Sequence, residues 1–357
     1  MPKLLISSDL HLSIQEKDYS LAILDELIEY AKDCDALLFL GDTFNTFEDL
    51  QELKDIVSSK LENYKKDVYL LKGNHENIKS KGITLNKLKF PENVIVIENI
   101  SFFTIDNLDI IAIPYSEKYI IDNDIDKKIE KLNSDKRIII AHGIVEGTLW
   151  AIEENEEIAS IPIDIIKKMN ANISIVGHIH KPMEINIDNI DIIYIGSSRV
   201  WRKSKSEMNA RRCMILDTKD NLINKKFINI KNAGEYRVYD INVSNIDKKL
   251  DRIVKEWGIN DIIDINIYGI LEDENELENK KNNIKNIYSK YSREINIKSS
   301  KLFLLENAYN ENIIKEFLDI VDEYEFDSSN EEDLEIVELA RKIGIEKIFG
   351  ALYNKKK

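Results

Sequence analysis

The chain has 357 residues, 43% of them hydrophobic, and a formal net charge of -15, enough length for two or three units with cores of their own. That acidity excludes uniform coating of nucleic acid or of an anionic membrane, though not a local basic groove. Two distant cysteines, Cys34 and Cys213, a start without a leader pattern, and no run of roughly 20 apolar residues predict a cytoplasmic protein with no membrane span.

In chain order, residues 3–8 form a short apolar run that ends at Asp9, as a buried strand does. Residues 20–32 have helical spacing, with Leu21, Leu24, Leu27, Ile28 and Ala31 on one face. A second strand over 35–40 stops at Gly41-Asp42, a helix follows over 48–63, and a third strand over 68–71 runs into Gly73-Asn74-His75-Glu76. Strands are predicted at 94–97, 102–105 and 110–113, and a polar helix through much of 116–133. Residues 137–140 and 173–176 are strands leading to His142 and His178, and 192–195 and 214–216 are two more. This alternation predicts an α/β layered domain.

From about Tyr236 the texture changes. Residues 236–243 and 261–268 alternate apolar and polar, with a helix at 245–257 between them. A Lys- and Asn-rich helix is predicted over 273–290, one or two strands in 294–305, an amphipathic helix over 311–324, an acidic linker over 326–332, and one or two short helices over 333–352.

All five histidines fall in loaded contexts: Asp9-Leu10-His11, Asn74-His75, His142-Gly143 and Gly177-His178-Ile179-His180. Alternate residues of extended backbone face one side, so His178 and His180 can face one ion or two neighbouring ions. Asp9, His11, Asp42, Asn74, His142, His178 and His180 together form a mixed imidazole and oxygen set. Such a set suits manganese, iron or zinc better than calcium, and the absence of cysteine argues against a closed structural zinc site. Two ions roughly 3.5–4 Å apart can neutralise phosphate oxygens and generate hydroxide near neutral pH. In open α/β sheets ligands bind outside the carboxyl ends of strands, where these residues lie.

The order Asp-x-His, Gly-Asp, Gly-Asn-His-Glu, His-Gly, Gly-His-x-His resembles the calcineurin-like metallophosphoesterase superfamily, with every core position filled. The resemblance implies a β-sheet sandwich flanked by helices. It implies that Asp9, His11, Asp42 and His180 hold one ion, and Asp42, Asn74, His142 and His178 the other. His75 matches the family's non-ligand histidine, which donates to the phosphate or protonates the leaving oxygen.

Serine/threonine phosphatases carry an aspartate-arginine-glycine sequence after the second motif, whereas here Gly41-Asp42-Thr43-Phe44-Asn45 has no arginine. Gly-Asp-x-Phe, His142-Gly143 to Gly147, Gly177 to Pro182, and Tyr194-Ile195-Gly196-Ser197 with Ser206-Glu207 look more like the SbcD-type nucleases of double-strand-break repair. That likeness implies a nuclease domain over 1–232, a small α/β DNA-capping domain over 233–306, and C-terminal helices over 307–357 that dock on an SbcC-type coiled-coil ATPase. It also implies a homodimer, DNA as substrate, and two divalent ions, manganese first, with magnesium, iron or zinc as alternatives. Asn45 stands where those nucleases carry Asp or His to orient the histidine at 75, and Glu76 where they usually carry Asp.

Residues 199–212 hold six Lys or Arg, namely Arg199, Arg202, Lys203, Lys205, Arg211 and Arg212, against one Glu. Phosphate contacts from such residues dominate nucleic-acid affinity, and Trp201 could stack on a base. The sequence thus predicts a manganese-dependent DNA nuclease subunit. The rivals are a phosphodiesterase or phosphatase for a small nucleotide or lipid headgroup, and a binding protein whose metals only fix loops.

Overall fold

The computed structural model describes residues 2–77, 85–119, 124–148, 160–204, 207–208, 210–219, 222–271, 274–304, 312–323 and 331–355. The chain divides into two compact units between Glu235 and Tyr236.

The first unit is built on two six-stranded sheets. In one, β1 (Lys3–Ser7), β2 (Ala36–Phe39), β3 (Asp67–Leu71) and β4 (Val94–Ile97) are parallel neighbours in that order. The other comprises β5 (Ser101–Ile105), β6 (Leu108–Ile113), β7 (Arg137–His142), β8 (Ile173–Gly177), β9 (Met183–Ile187) and β10 (Ile190–Tyr194), ordered β5-β6-β7-β8-β10-β9. The chain then returns to the first sheet as β11 (Arg212–Asp217), antiparallel to β1, and β12 (Asn224–Asn229) outside it.

Strand period sets the layers. Leu4, Ile6 and Leu38 meet Ile110, Ile138, Ile140 and Ile175 in a core between the sheets. The alternate residues Leu5, Leu37 and Phe39 point outward onto Leu24 and Leu27 of α1 (Lys17–Tyr30) and Leu53, Val57 and Leu61 of α2 (Phe47–Tyr64). On the far side, Ile111, Ile139 and Ala141 pack on Ile125 of α3 (Ile125–Glu130) and Ile165 and Met169 of α4 (Ile163–Met169). The expected α/β sandwich flanked by helices is therefore the observed architecture.

Three local features differ from the sequence reading. The helix expected through much of 116–133 is only α3, with residues 120–123 outside the described set. Helix α4 was not anticipated, and neither were the edge strands β9 and β12. The β9–β10 turn has a readable cause, since Asp188 and Asn189 both take positive φ, 51° and 67°. Residues that tolerate that region suit two-residue hairpins of matching twist.

In the second unit β13 (Tyr236–Asn242), β14 (Ile262–Leu271) and β15 (Glu294–Leu304) are parallel. They are joined by crossovers that contain α5 (Ile246–Ile253) and α6 (Glu274–Tyr288), and Ile241, Ile263, Ile265, Leu250 and Ile284 form their core. Residues 333–352 lie within one 25-residue helix, α8 (Glu331–Lys355). It packs Ile345 and Ile348 against Ile314 and Phe317 of α7 (Asn312–Asp322).

Candidate metal centre

Each candidate ligand sits at a strand's carboxyl end or in the loop just beyond it, on β1, β2 and β3 of one sheet and β7 and β8 of the other. The loops after β1 and β2 are zipped together by backbone bonds: Asp9 N–H to the Gly41 carbonyl (3.2 Å) and His11 N–H to the Asp42 carbonyl (2.9 Å). The conformations are costly ones. Asp9, His11, Asp42 and His178 have φ of 51°, 44°, 49° and 86°, a region non-glycine residues avoid and functional sites retain. Gly41 (φ 86°) lies so close to the His142 ring that a Cβ there would collide with it, so this turn demands glycine.

The side chains converge on one buried spot. Asp42 Oδ2 lies 3.4 Å from His142 Nε2 and 3.9 Å from His11 Nε2, between the two groups. On one side His11 Nε2 and His180 Nε2 are 3.1 Å apart, and Asp9 Oδ1 is 4.0 Å from His180 Nε2. On the other, Asn74 Oδ1 is 3.0 Å from His142 Nε2 and 2.9 Å from His178 Nδ1. Three sets of atoms fall within 4.8 Å of one another: Asp9, His11 and His180; His11, Asp42 and His75; Asp42, His142 and His178.

Hydrogen bonding outside the cluster sets which ring nitrogen faces in. His142 Nδ1–H donates to the Leu40 carbonyl (2.6 Å), and His180 Nδ1–H donates to Glu207 Oε1 (2.7 Å). With Nδ1 so engaged, each ring turns its Nε2 inward, toward Asn74 and Asp42 oxygens for His142 and toward His11 Nε2 for His180. Ring nitrogens gathered with carboxylate and amide oxygens in one buried cluster are the donor set that divalent ions take, so the residues fit such ions.

The electrostatics agree. Burial by itself would raise Asp42, but the His142 and His11 imidazoles outweigh it and hold the carboxyl well below the usual carboxylate range. Burial would lower His142, yet the Asp42 carboxylate pushes it up to about 9. Burial lowers His11 well below the usual imidazole range and takes His178 down to about 3.

His75 stands beside the cluster. Its N–H donates to Asp42 Oδ1 (2.9 Å), and its Nδ1 donates to the backbone carbonyl of Asn45 (2.5 Å). The orienting partner is thus the main chain at 45 rather than a side chain, so Asn can stand there. Glu76 is fully buried and clamps the ligand loops, accepting from the N–H groups of Asp42, Phe44 and Gly73, each at 2.9 Å. Burial first, then Asp42, pushes its carboxyl up to about 7.

Two residues of the expected DNA patch are corrected by burial. Arg199 is 1% exposed and donates to the His11 carbonyl, Ser20 and Glu16. Arg211 is 0% exposed and donates to Glu207 Oε2 (3.0 Å), Ser197 Oγ and the His180 carbonyl. A DNA phosphate reaches neither. Trp201 is engaged too: its indole is stacked on His11 (4.0 Å between centroids, 4° between planes) and lies 5.3 Å from both His75 and His180. The Arg202 guanidinium is 4.2 Å from the indole centroid, and Arg202 and Lys203 are exposed. Arg212 is half-buried over Phe227, and Lys205 lies outside the described residues. Glu207 is a site residue that sequence reasoning named only as part of a motif.

A two-sheet sandwich with a buried Asp/His/Asn cluster at its strand ends defines a dimetal phosphoesterase. The chain belongs to the calcineurin-like phosphoesterase family, whose sequence profile matches residues 2–182, and is thereby a metal-dependent hydrolase of phosphoester bonds. No curated protein matches it in sequence. Among solved structures it is similar to the purple acid phosphatase from yellow lupin (Lupinus luteus) seeds, at 13% identity and a TM-score of 0.50, over 66% of this chain and 52% of that one. It is also similar to a predicted phosphoesterase from Streptococcus pneumoniae (15%, TM-score 0.33, 64% and 89%) and to an archaeal phosphodiesterase (18%, TM-score 0.36, 63% and 99%). At 13% identity the likeness to the lupin phosphatase is one of fold. Among the described residues no helix is long and apolar enough to cross a membrane.

Proposed function

We propose that the chain is a manganese-dependent DNA nuclease subunit that hydrolyses phosphodiester bonds. The observation that carries this reading is the exposed Arg202 held on Trp201, whose indole in turn covers His11. It places a positive charge at the rim of the cluster in a chain of net charge -15, where a phosphate backbone could be gripped.

Asp9, His11, Asp42 and His180 would hold one ion, and Asp42, Asn74, His142 and His178 the other. Two bound ions would supply charge neutralisation for phosphate oxygens and lower the pKa of water. The protein's own part is positioning. Asp42 faces both groups, and the Asn45 carbonyl takes the Nδ1 proton of His75. Nε2 therefore carries a proton only in the imidazolium form, and in that form it would donate to the phosphate or give its proton to the departing oxygen.

The same reading includes a coiled-coil ATPase partner, a homodimer, and a DNA-capping role for β13–β15. The partner is supported by exposed Ile336, Leu339 and Ile343, at i, i+3 and i+7 on α8, with Ile313 and Ile320 exposed on α7.

The test incubates the protein with manganese, a labelled linear duplex and a small bis-aryl phosphodiester, with Asp42→Ala as control. Duplex degradation that vanishes in the control is expected. Hydrolysis of the small ester with intact DNA, alone or with the ATPase, would replace the nuclease by a small-substrate phosphodiesterase.

A further inference from the structure

We propose that Trp201 is a positioning residue of the metal centre: its indole holds the plane of the His11 imidazole, the task that a hydrogen bond performs for neighbouring rings. This rests on the two-ion assignment above and deepens it, because it concerns the ion on the Asp9, His11 and His180 side.

The observation behind it is an asymmetry among the histidines. His142, His180 and His75 are each fixed by a hydrogen bond from Nδ1, to the Leu40 carbonyl, to Glu207 and to the Asn45 carbonyl. Bonds of that kind set the orientation of ligand imidazoles. His11 is 0% exposed, yet its Nδ1 has no hydrogen-bond partner among the described residues. Its Nε2 nevertheless stands in the cluster, 3.1 Å from His180 Nε2 and 3.9 Å from Asp42 Oδ2. The second torsion of a histidine side chain is soft, so a ring lacking that bond turns unless packing stops it. Trp201 supplies the packing, with ring planes 4° apart and centroids at 4.0 Å. Because the contact is parallel, any turn of the imidazole drives its edge into the indole face. The His75 ring, 4.6 Å away at 81°, forms a second wall.

A brace must itself be held, and the segment after β10 is. Ser198 N–H and Ser198 Oγ both donate to the Ser8 carbonyl (2.9 and 2.6 Å), and Val200 N–H donates to the Tyr19 hydroxyl (3.2 Å). Arg199 donates to the carbonyl of His11 itself (2.9 Å) and to Ser20 Oγ (2.8 Å). Residues 199 and 201 thus grip His11 at its backbone and at its ring. The Arg202 guanidinium adds a cation–π contact to the indole. A ligand fixed in advance lowers the ordering cost of binding, and the ion among Asp42, Asn74, His142 and His178 draws nothing from His11. Loss of the brace should therefore weaken one ion and spare the other.

The experiment dialyses the full chain, stripped of metal, against a manganese series with metal analysis, for wild type, Trp201→Phe, Trp201→Leu and Trp201→Ala. The thermal midpoint of each metal-free protein is taken first. Trp201→Phe keeps a flat ring and should bind two ions as wild type does. Trp201→Leu restores bulk without a plane and Trp201→Ala restores neither, so in both one ion should bind about tenfold or more weakly while the other is unchanged. If the alanine variant fails to fold, the phenylalanine and leucine variants decide. Two ions bound at wild-type affinity by the leucine variant, equal loss in the phenylalanine and leucine variants, or loss of both ions in a folded variant overturns the positioning role. Wild type is read before any variant: fewer than two ions there strikes the two-ion assignment, whereas two ions with unaltered variants strikes the role of Trp201 alone.

Discussion

At the scale of single residues, the geometry separates what must be a particular side chain from what need not be. Glu207 must be a carboxylate: both oxygens are in use, one by His180 Nδ1–H and the other by Ser197 and Arg211, and the residue is 0% exposed. Glu207→Gln turns an acceptor toward a donor and releases the tautomer of His180. The ion on the Asp9–His11–His180 side should then bind about 10–100-fold more weakly, while the one between Asp42, His142 and His178 stays. Equilibrium dialysis with metal analysis should fall from about two ions per chain toward about one; loss of both or neither refutes the assignment. Asn45 is the converse case. Because its carbonyl does the orienting, Asn45→Ala should retain wild-type turnover and metal content, and a large loss of kcat would show that the side chain matters. The metal-centre residues were legible in the sequence because imidazoles and carboxylates at strand ends are unusual and come in order. The partners were not. Nothing in the composition of 199–212 says that Arg199 and Arg211 turn inward while Arg202 turns out, since Arg199 is held by His11 and Ser20, nearly 200 positions away, and Arg211 by Glu207, Ser197 and His180, which only the fold brings around it.

At the scale of elements, strands were easier to read than helices for a physical reason. Ile138, Ile139 and Ile140 are buried on both faces of β7, one set between the sheets and the other under α3 and α4, so the strand is a continuous apolar run. The helical region at 116–133 offers no such contrast, and among its described residues six form a helix. Edge strand β9 (Met183–Ile187) alternates apolar and polar residues and β12 is mostly polar, so neither contains the continuous apolar run by which the other strands were read. Two element-level consequences can be measured. Ile140→Ala opens a cavity between the sheets, two residues before His142 on the same strand, and should cost about 2–5 kcal/mol of stability in denaturant unfolding; a cost below ~1 kcal/mol would mean that the sandwich core closes around the gap. Thr46 caps α2 by accepting from the Asp49 N–H at 3.1 Å, and Asp49 in turn accepts from the Ile14 N–H at 2.7 Å. Thr46→Ala should therefore cost about 1 kcal/mol.

At the scale of the whole molecule, the question is where the smallest self-sufficient catalytic unit ends. The family match stops at residue 182, but the structure does not support a boundary there. A chain cut at 182 would lack β10, which pairs with β8, and β11, which pairs with β1 from Lys3↔Asp217 to Ile6↔Met214. It would also lack Glu207, the carboxylate that sets His180. By contrast, the three hydrophobic clusters of the first unit draw only on residues up to Ala233, and the remaining two begin at Tyr239. Every candidate ligand precedes the division at Glu235. Residues 1–235 should therefore fold alone, unfold in one cooperative transition, bind about two ions per chain, and hydrolyse the bis-aryl diester at the full chain's rate. Residues 1–182 should fail to give a cooperative transition. If 1–235 bound no metal or aggregated, the second unit would have to complete the catalytic fold. If it retained small-ester hydrolysis but lost the duplex, the second unit's contribution would be to hold DNA, as the capping proposal requires.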